Sequence, residues 1–221
     1  MNRLAKPFPL TAGFLAVTIG LAFTKLAETA VIIGGSFVLF LSVLFIHEAG
    51  HALFGKVAGY RFHYLAVGPI LIEKNPTLKI KANDNWLYFG GVTSSTPDTG
   101  NIDDIISKHK WFVIGGPFVS ALASFAGLVV WYIGKIDAAM FFSLLNAVIF
   151  IVTVLPYKGA MKSDGRVFLE LSKGGKPAAE FLLDLLLLKE IMSPKEPSEW
   201  SEELIIQGQF TEPESEKPPP D

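Results

Sequence analysis

The chain has 221 residues, half of them hydrophobic, and a mean hydropathy of +0.41. This is too apolar for an ordinary soluble domain and indicates a membrane protein. Its 19 basic and 21 acidic residues leave a net charge of −2, so no basic field favours nucleic acid as a partner. The absence of cysteine excludes disulfides and thiolate metal sites. Any metal must therefore bind to His, Asp or Glu side chains.

Four apolar stretches are candidates for membrane-spanning helices, because about 20 apolar residues cross a hydrocarbon core of about 30 Å. They cover about residues 7–23, 30–54, 111–133 and 138–155, and the first is barely long enough. Of the 19 Lys and Arg residues, 17 lie before the first stretch, between the second and third, or after the fourth. Since Lys and Arg are retained on the cytoplasmic side, we expect both termini and the long central loop to face the cytoplasm.

The segments between and after these stretches have their own compositions. Loop 59–110 alternates polar and apolar residues between turn formers, which predicts short antiparallel strands lying against the membrane. Residues 178–192 are apolar but too few to span, so we expect a helix that is interfacial or packed against the bundle. In residues 193–221, eight residues are acidic and six are Pro, which is typical of a disordered tail. We therefore expect an integral membrane domain over residues 1–192 and an acidic tail after it.

The stretch His47-Glu48-Ala49-Gly50-His51 is the most informative in the chain. On an α-helix, residues i and i+4 project to the same side one turn apart, so both imidazoles can bind one zinc ion. Glu48 is placed to act as general base toward a water activated by the metal. From 4 His and 13 Glu in the chain, the expected number of chance matches is about 0.004. An ionisable residue that continues an apolar span is also costly to insert, which favours a function.

A catalytic zinc ion commonly has three protein ligands, so a third ligand is required. His63 and His109 fall in the polar loop beside basic residues, where a histidine is more often a solvated surface group. Asp164, just beyond the fourth span, is the stronger candidate, although an Asp-Gly pair taken alone indicates only a turn.

Three motifs follow one another over roughly residues 30–170. They are Phe45–Ala52, Gly115-Gly116-Pro117 with Ser120 three residues later, and Leu155-Pro156 followed by Ser163-Asp164-Gly165. In order and spacing they resemble the motifs of the site-2 protease family of intramembrane zinc metalloproteases. The first resembles the family's His-Glu motif, and the second is similar to the Gly-Pro motif in its middle core helix. The third is similar to its Pro and Asp-Gly motif.

The resemblance implies an all-α membrane protein of about four transmembrane helices, three of which form a zinc-metalloprotease core. The strand-rich loop adds a small membrane-associated β-sheet between the second and third spans. One zinc ion per chain is implied on His47, His51 and Asp164, with Glu48 as the general base. The implied reaction is hydrolysis of a peptide bond in or near the membrane-spanning segment of a membrane protein or peptide precursor.

The resemblance also implies an active site recessed from the cytoplasmic surface and opening toward it. We accordingly expect a multi-pass protein of a bacterial cell membrane. Its partners are expected to be the lipid bilayer and a membrane protein or peptide substrate. The sequence does not predict the oligomeric state.

The chain departs from the family at the residue that orients the substrate. The family commonly has Asn three residues before the Pro of the third motif, where this chain has Thr153. Asn146, Thr153 or Lys158 can supply the polar contact instead. Gly116 and Pro117 are candidates for substrate contact, but close packing of helices explains them at least as well.

Two other functions stay open at this point. One is a catalytically silent membrane binding protein of the same fold, against which the intact His-Glu-x-x-His pattern argues. The other is an ion carrier that uses His and Asp within the bilayer. The lack of repeated halves in the sequence argues against a carrier.

Overall fold

Six α-helices and four β-strands make up the part of the chain that the computed structural model describes, residues 5–98, 101–159 and 162–192. The helices are α1 Pro7–Leu21, α2 Ala27–Val57, α3 Ile102–Gly134, α4 Asp137–Val154, α5 Asp164–Lys173 and α6 Lys176–Ile191. The strands are β1 Tyr60–Val67, β2 Ile70–Lys74, β3 Leu78–Ala82 and β4 Val92–Pro97. The predicted acidic tail, residues 193–221, lies outside the described residues.

Three helices are long and apolar enough to cross a membrane: α2 with 31 residues, α3 with 33 and α4 with 18. In α4, only 11% of the most apolar 18-residue window is buried inside the protein, which leaves a wide apolar surface of the kind that contacts lipid. The prediction of a membrane protein is therefore supported. The predicted first span corresponds to α1, an apolar helix of 15 residues whose length of about 22 Å is shorter than the hydrocarbon core.

The third predicted span lies within α3, but this helix begins before the span does. α3 begins at Ile102, so the central loop ends well before the predicted residue 110. The Asn101 side chain accepts a hydrogen bond from the Asp104 N–H at 3.1 Å and caps the helix, and Asp103 and Asp104 lie in its first turn, where acidic residues are favourable. The first turns of α3 are polar, so a search for apolar stretches does not detect them. The predicted helix 178–192, in contrast, corresponds closely to α6.

The central loop folds into one antiparallel sheet, as its alternating pattern predicts. The strand order is β3-β2-β1-β4, so β4 has a neighbour on one side only. The apolar patch before β4 contains a short 3-10 helix, Trp86–Tyr88. The sheet packs along the C-terminal half of α2: a Cβ added to Gly68 would lie 2.8 Å from a methyl carbon of Leu41, and one added to Gly91 would lie 2.7 Å from the Glu48 carboxylate. The edge strand β4 thereby lies beside the turn of α2 that carries Glu48.

The helices α2 and α3 cross where both have glycine. A Cβ added to Gly50 would lie 2.5 Å from the Gly115 carbonyl oxygen, and one added to Gly115 would lie 2.5 Å from the Gly50 carbonyl oxygen. No side chain fits between the two backbones, so the helices approach more closely than larger residues would allow. The crossing brings α3 against the turn of α2 that contains both predicted histidine ligands.

An apolar cluster fixes α5 and α6 to the first half of α3. Its buried members are Ile105, Val113, Val167, Leu171, Ala178, Leu182 and Leu185. Because α5 begins at Asp164, this cluster also helps to hold the predicted third ligand in place.

We expect Gly50→Ala to destabilise the protein, because the added methyl group would meet the Gly115 carbonyl, a backbone atom that cannot rotate away. Overpacking of this kind commonly costs about 1–3 kcal/mol. Thermal unfolding of the purified protein in detergent measures the loss. Gly35→Ala is the matched control on the same helix, since a Cβ there meets nothing within 4 Å. Equal melting temperatures for the two variants would contradict the close crossing.

Candidate metal centre

Two imidazoles from α2 and the carboxylate that begins α5 converge on one point. His47 Nε2 lies 3.2 Å from His51 Nε2 and 3.3 Å from Asp164 Oδ2. His51 Nε2 lies 3.4 Å from Asp164 Oδ1. Within residues 5–98, 101–159 and 162–192, these three residues form the one group of three or more His, Cys, Asp or Glu that could hold a metal ion. The structure thus brings together all three residues predicted as ligands.

Both histidines are oriented by α3 through their second ring nitrogen. His51 Nδ1 lies 2.9 Å from the Phe112 carbonyl oxygen. A carbonyl can only accept, so Nδ1 donates its hydrogen and the lone pair of Nε2 faces the other ligands. His47 Nδ1 lies 3.0 Å from the hydroxyl of Ser120, which is fully buried. Such contacts behind a metal ligand hold the ring in place and set its tautomer.

Gly116 provides the space that the two imidazole rings occupy. A Cβ at this position would lie 2.3 Å from His51 Nε2 and 2.8 Å from His47 Cε1. This contact gives Gly116 a packing role against the metal ligands. Pro117, the other candidate of this motif, faces a separate apolar cavity of about 540 Å³ that Asp164 also lines.

The segment before α5 is organised by the Ser163 side chain. Its hydroxyl donates to the Leu155 carbonyl at 2.7 Å and accepts from the Arg166 N–H at 3.3 Å, which makes it the N-cap of α5. These bonds connect the end of α4 to the start of α5. Asp164 consequently occupies the first position of a capped helix, where its side chain has a defined direction.

The glycine after Asp164 allows α5 to dock on the end of α4. A Cβ added to Gly165 would lie 1.8 Å from the Val154 carbonyl oxygen, so only glycine fits there. Burial by itself would raise the pKa of the Asp164 carboxyl, but the imidazoles of His51 and His47, in their protonated form, lower it to about 2. The side chain is therefore an ionised carboxylate at neutral pH, the form that binds a cation.

Glu48 lines a cavity together with His47, His51 and Asp164 and is held in place by β4. Thr93 Oγ1 donates to Glu48 Oε2 at 2.7 Å and is also 3.0 Å from the Glu48 carbonyl oxygen. Gly91 has φ +107°, and a Cβ there would lie 2.7 Å from Glu48 Oε1. This left-handed conformation and the close approach both require glycine. The carboxylate is thus buried, oriented and separate from the ligand group.

A cavity of about 600 Å³ opens in front of these side chains. The ligand group and Glu48 line one side, and residues 90–95, which include most of β4, line another. The third side is the face of α6 formed by Phe181, Asp184, Leu185 and Leu188. A peptide that entered this cavity would lie between a strand edge and a mostly apolar helix.

The other predicted substrate-binding residues have different positions. Thr153 lines the cavity, although its hydroxyl donates to the Ile149 carbonyl at 2.9 Å. Asn146 is fully buried, donates to the Phe142 carbonyl at 2.9 Å and is not among the cavity residues. Lys158 is exposed and also lies outside the cavity lining. Among these three, the position of Thr153 is the one compatible with substrate contact in this cavity.

The expectation that His63 and His109 are solvated loop residues is wrong, because both side chains are buried. His63 Nε2 lies 2.7 Å from Thr96 Oγ1, which joins β1 to β4. His109 belongs to α3, its Nδ1 lies 3.2 Å from Tyr60 Oη, and it lines the large cavity. The expectation was based on the basic residues adjacent in the sequence, which do not indicate that the sheet and helices cover these two rings. Neither histidine joins the ligand group.

Thr93 and Gly91, the residues that hold Glu48, are not predicted by any pattern in the sequence. They belong to no motif, and a Gly followed by Val-Thr-Ser-Ser-Thr indicates only a strand after a turn. Ser120 was included in the Gly-Pro motif, but its bond to His47 depends on the crossing of two helices.

Comparisons with protein-family models, with curated proteins and with solved structures find no match for this chain. The resemblance to the site-2 proteases therefore rests on the three motifs alone. Function has to be argued from the residues of the site.

We expect Asp164→Ala to weaken metal binding by at least about 100-fold, because it removes a proposed ligand. Loss of a residue that merely contacts a metal ligand already lowers metal affinity by about 10–100-fold. Titration of the purified protein with Zn²⁺ in competition with a chelator measures the affinity. Asp184→Ala is the matched control, because Asp184 lines the same cavity but lies outside the ligand group. Equal affinity in the two variants would show that Asp164 is not a ligand.

Proposed function

We propose that the chain is a membrane-embedded zinc endopeptidase of the site-2 protease type. It hydrolyses a peptide bond in or near the membrane-spanning segment of a membrane protein or peptide precursor. The observation that carries this proposal is the position of Glu48, a buried carboxylate in the same cavity as the His47, His51 and Asp164 group but outside it. A ligand group with a separate base beside it is the arrangement that metal-assisted hydrolysis needs.

The spacing of the ligand atoms supports zinc. Ligand atoms about 2.05 Å from an ion at tetrahedral angles lie about 3.3 Å from one another. The two Nε2 atoms are 3.2 Å apart, and each lies 3.3 or 3.4 Å from a different oxygen of the Asp164 carboxylate. Two imidazoles and one carboxylate suit zinc better than magnesium or calcium, which prefer oxygen ligands. Three protein ligands leave a fourth position open, as in catalytic sites. When bound, zinc supplies a Lewis acid that polarises the scissile carbonyl and makes water more acidic.

The chain's own part in the reaction is proton transfer by Glu48. Its carboxylate accepts a proton from the attacking water and passes it to the leaving amine. Thr93 binds Oε2, which leaves Oε1 as the oxygen that exchanges the proton. Gly91 keeps the space beside Oε1 free of a side chain. Thr93 is therefore a positioning residue for the general base.

The free edge of β4 supports substrate binding by strand addition. Residues 90–95 line the cavity, and β4 has a sheet neighbour on one side only. An extended segment can add to such an edge through backbone hydrogen bonds. This pairing also replaces the bonds that a substrate helix loses when it unwinds in an apolar environment. The partners of the protein in this proposal are thus the bilayer and a membrane protein or peptide.

The proposal places the termini and the cavity on the cytoplasmic side of a bacterial cell membrane. The distribution of 17 of the 19 basic residues supports this orientation. The start of α1 lies next to the central loop, because Lys6 pairs with Asp84 and the indole N–H of Trp86 donates to the Ala5 carbonyl. The N-terminal segment and the central loop therefore belong on the same side.

No specific observation favours the two alternative functions. A silent binding protein has no need for an oriented carboxylate beside the metal ligands, whereas Glu48 is both buried and hydrogen bonded. An ion carrier needs successive sites along a path, and the described part of the chain contains one ligating group.

We expect Glu48→Gln to reduce cleavage by about 10²–10⁴-fold, the usual contribution of a general base, and to leave zinc binding intact. The probe is an internally quenched peptide of 20 Leu and Ala residues with Lys at both ends, in detergent micelles. Glu73→Gln is the control, because Glu73 is paired with Lys81 on the sheet and lies outside the cavity lining. Normal cleavage by Glu48→Gln would contradict the proposed function.

Substitution of Thr93 tests the orientation of Glu48 while the Glu48 carboxylate itself is retained. Thr93→Val removes the hydroxyl that binds Glu48 Oε2 with little change in shape, so we expect kcat to fall by about 10–100-fold. Thr93→Ser keeps the hydroxyl and should retain most of the activity. Zinc content should be the same in both variants. If Thr93→Val had wild-type kcat, Thr93 would have no role in positioning the base.

A further inference from the structure

One buried imidazole in the cavity has no part in the proposed reaction. His109 is 4% exposed and lines the cavity together with His51 and Asp164. The aromatic rings packed against it are Tyr60, Phe112 and Phe181. A polar ring within an apolar shell is costly unless its hydrogen-bonding atoms have partners. The hydrogen bonds available to Nδ1 and Nε2 therefore indicate the role of this ring.

The Tyr60 hydroxyl determines which nitrogen of His109 carries hydrogen. Tyr60 Oη lies 3.3 Å from the Ile105 carbonyl oxygen and 3.2 Å from His109 Nδ1. Burial, together with the Asp104 carboxylate, raises the pKa of Tyr60, so the hydroxyl keeps its hydrogen at neutral pH. The carbonyl can only accept, so both bonds form when Tyr60 donates to Ile105 and Nδ1–H donates to Tyr60. In the uncharged ring, Nε2 then carries a lone pair.

We propose that His109 contacts the substrate and that its Nε2 accepts a hydrogen bond from a backbone N–H of the segment to be cleaved. This inference rests on the proposed function. The cavity supplies the reason: β4 forms one wall with its strand edge, while the wall formed by α6 presents Phe181, Leu185 and Leu188, with Asp184 as its one polar side chain. A strand bound to β4 has backbone groups that point away from it, toward walls with few acceptors. His109 supplies an acceptor near His51.

A purely structural role makes a different prediction. In that case the important atom is Nδ1, because its bond to Tyr60 joins α3 to β1. The amide of Asn reaches the position of Nδ1, and the amide of Gln reaches the position of Nε2. His109→Asn therefore preserves the contact with Tyr60, and His109→Gln preserves the acceptor for substrate. His109→Phe preserves only the volume.

The experiment compares these three variants of the full chain, purified in detergent, with the quenched Leu-Ala peptide as probe. We expect kcat/KM to fall about 10-fold in His109→Asn and His109→Phe, chiefly through a higher KM, and less than about 3-fold in His109→Gln. Zinc affinity and melting temperature of each variant are measured alongside. Retention of activity in His109→Asn with loss in His109→Gln would overturn the proposal. A KM that is unchanged in all three variants, or raised equally in all three, would also overturn it.

A binding measurement separates this proposal from that of the protease. In the Glu48→Gln background the same peptide, labelled with one fluorophore, binds without cleavage, and anisotropy gives its Kd. We expect the added His109→Asn to raise the Kd about 10-fold and the added His109→Gln to change it little. If Glu48→Gln still cleaves, the protease proposal fails. If Glu48→Gln does not cleave, but the added His109→Asn leaves the Kd of the peptide unchanged, the His109 proposal alone is wrong.

Discussion

The contact of α2 with α3 through glycine is the constraint on which the site depends. Because the backbones meet at Gly50 and Gly115, the carbonyl of Phe112 reaches His51 Nδ1 and the hydroxyl of Ser120 reaches His47 Nδ1. A larger residue at the crossing would separate the helices and leave both rings free to rotate. The two histidines would then remain neighbours in sequence without a common orientation.

Asp164 reaches this crossing through a separate local arrangement. Ser163 caps α5 and binds the end of α4, while Gly165 lets the new helix lie on the Val154 carbonyl. These two residues flank Asp164, so the short sequence Ser-Asp-Gly contains both the ligand and the means of placing it. The motif is therefore best understood as a packing unit between two helices that also presents a carboxylate.

The sheet has a role beyond covering the helices. Its edge strand β4 supplies the hydroxyl of Thr93, and the turn before it supplies Gly91, both in contact with Glu48. The three residues that could hold a metal ion come from the helices, whereas the contacts that orient Glu48 come from the sheet. The cavity forms at the junction of the two, with α6 as its outer wall. Substitutions can thus alter the His47, His51 and Asp164 group and the orientation of Glu48 separately.

The sequence by itself determined the features that depend on near neighbours along the chain. An i, i+4 spacing places His47 and His51 on one face of a helix, three of the four apolar stretches lie in helices that can span a membrane, and alternation identifies the sheet. Asp164 was assigned by resemblance and not by periodicity. The tertiary structure alone decided the burial of His63 and His109, the contact of Thr93 with Glu48, and the place of Gly116 beside the imidazoles. These contacts join residues far apart in the chain, and local composition does not record which elements pack together or how closely.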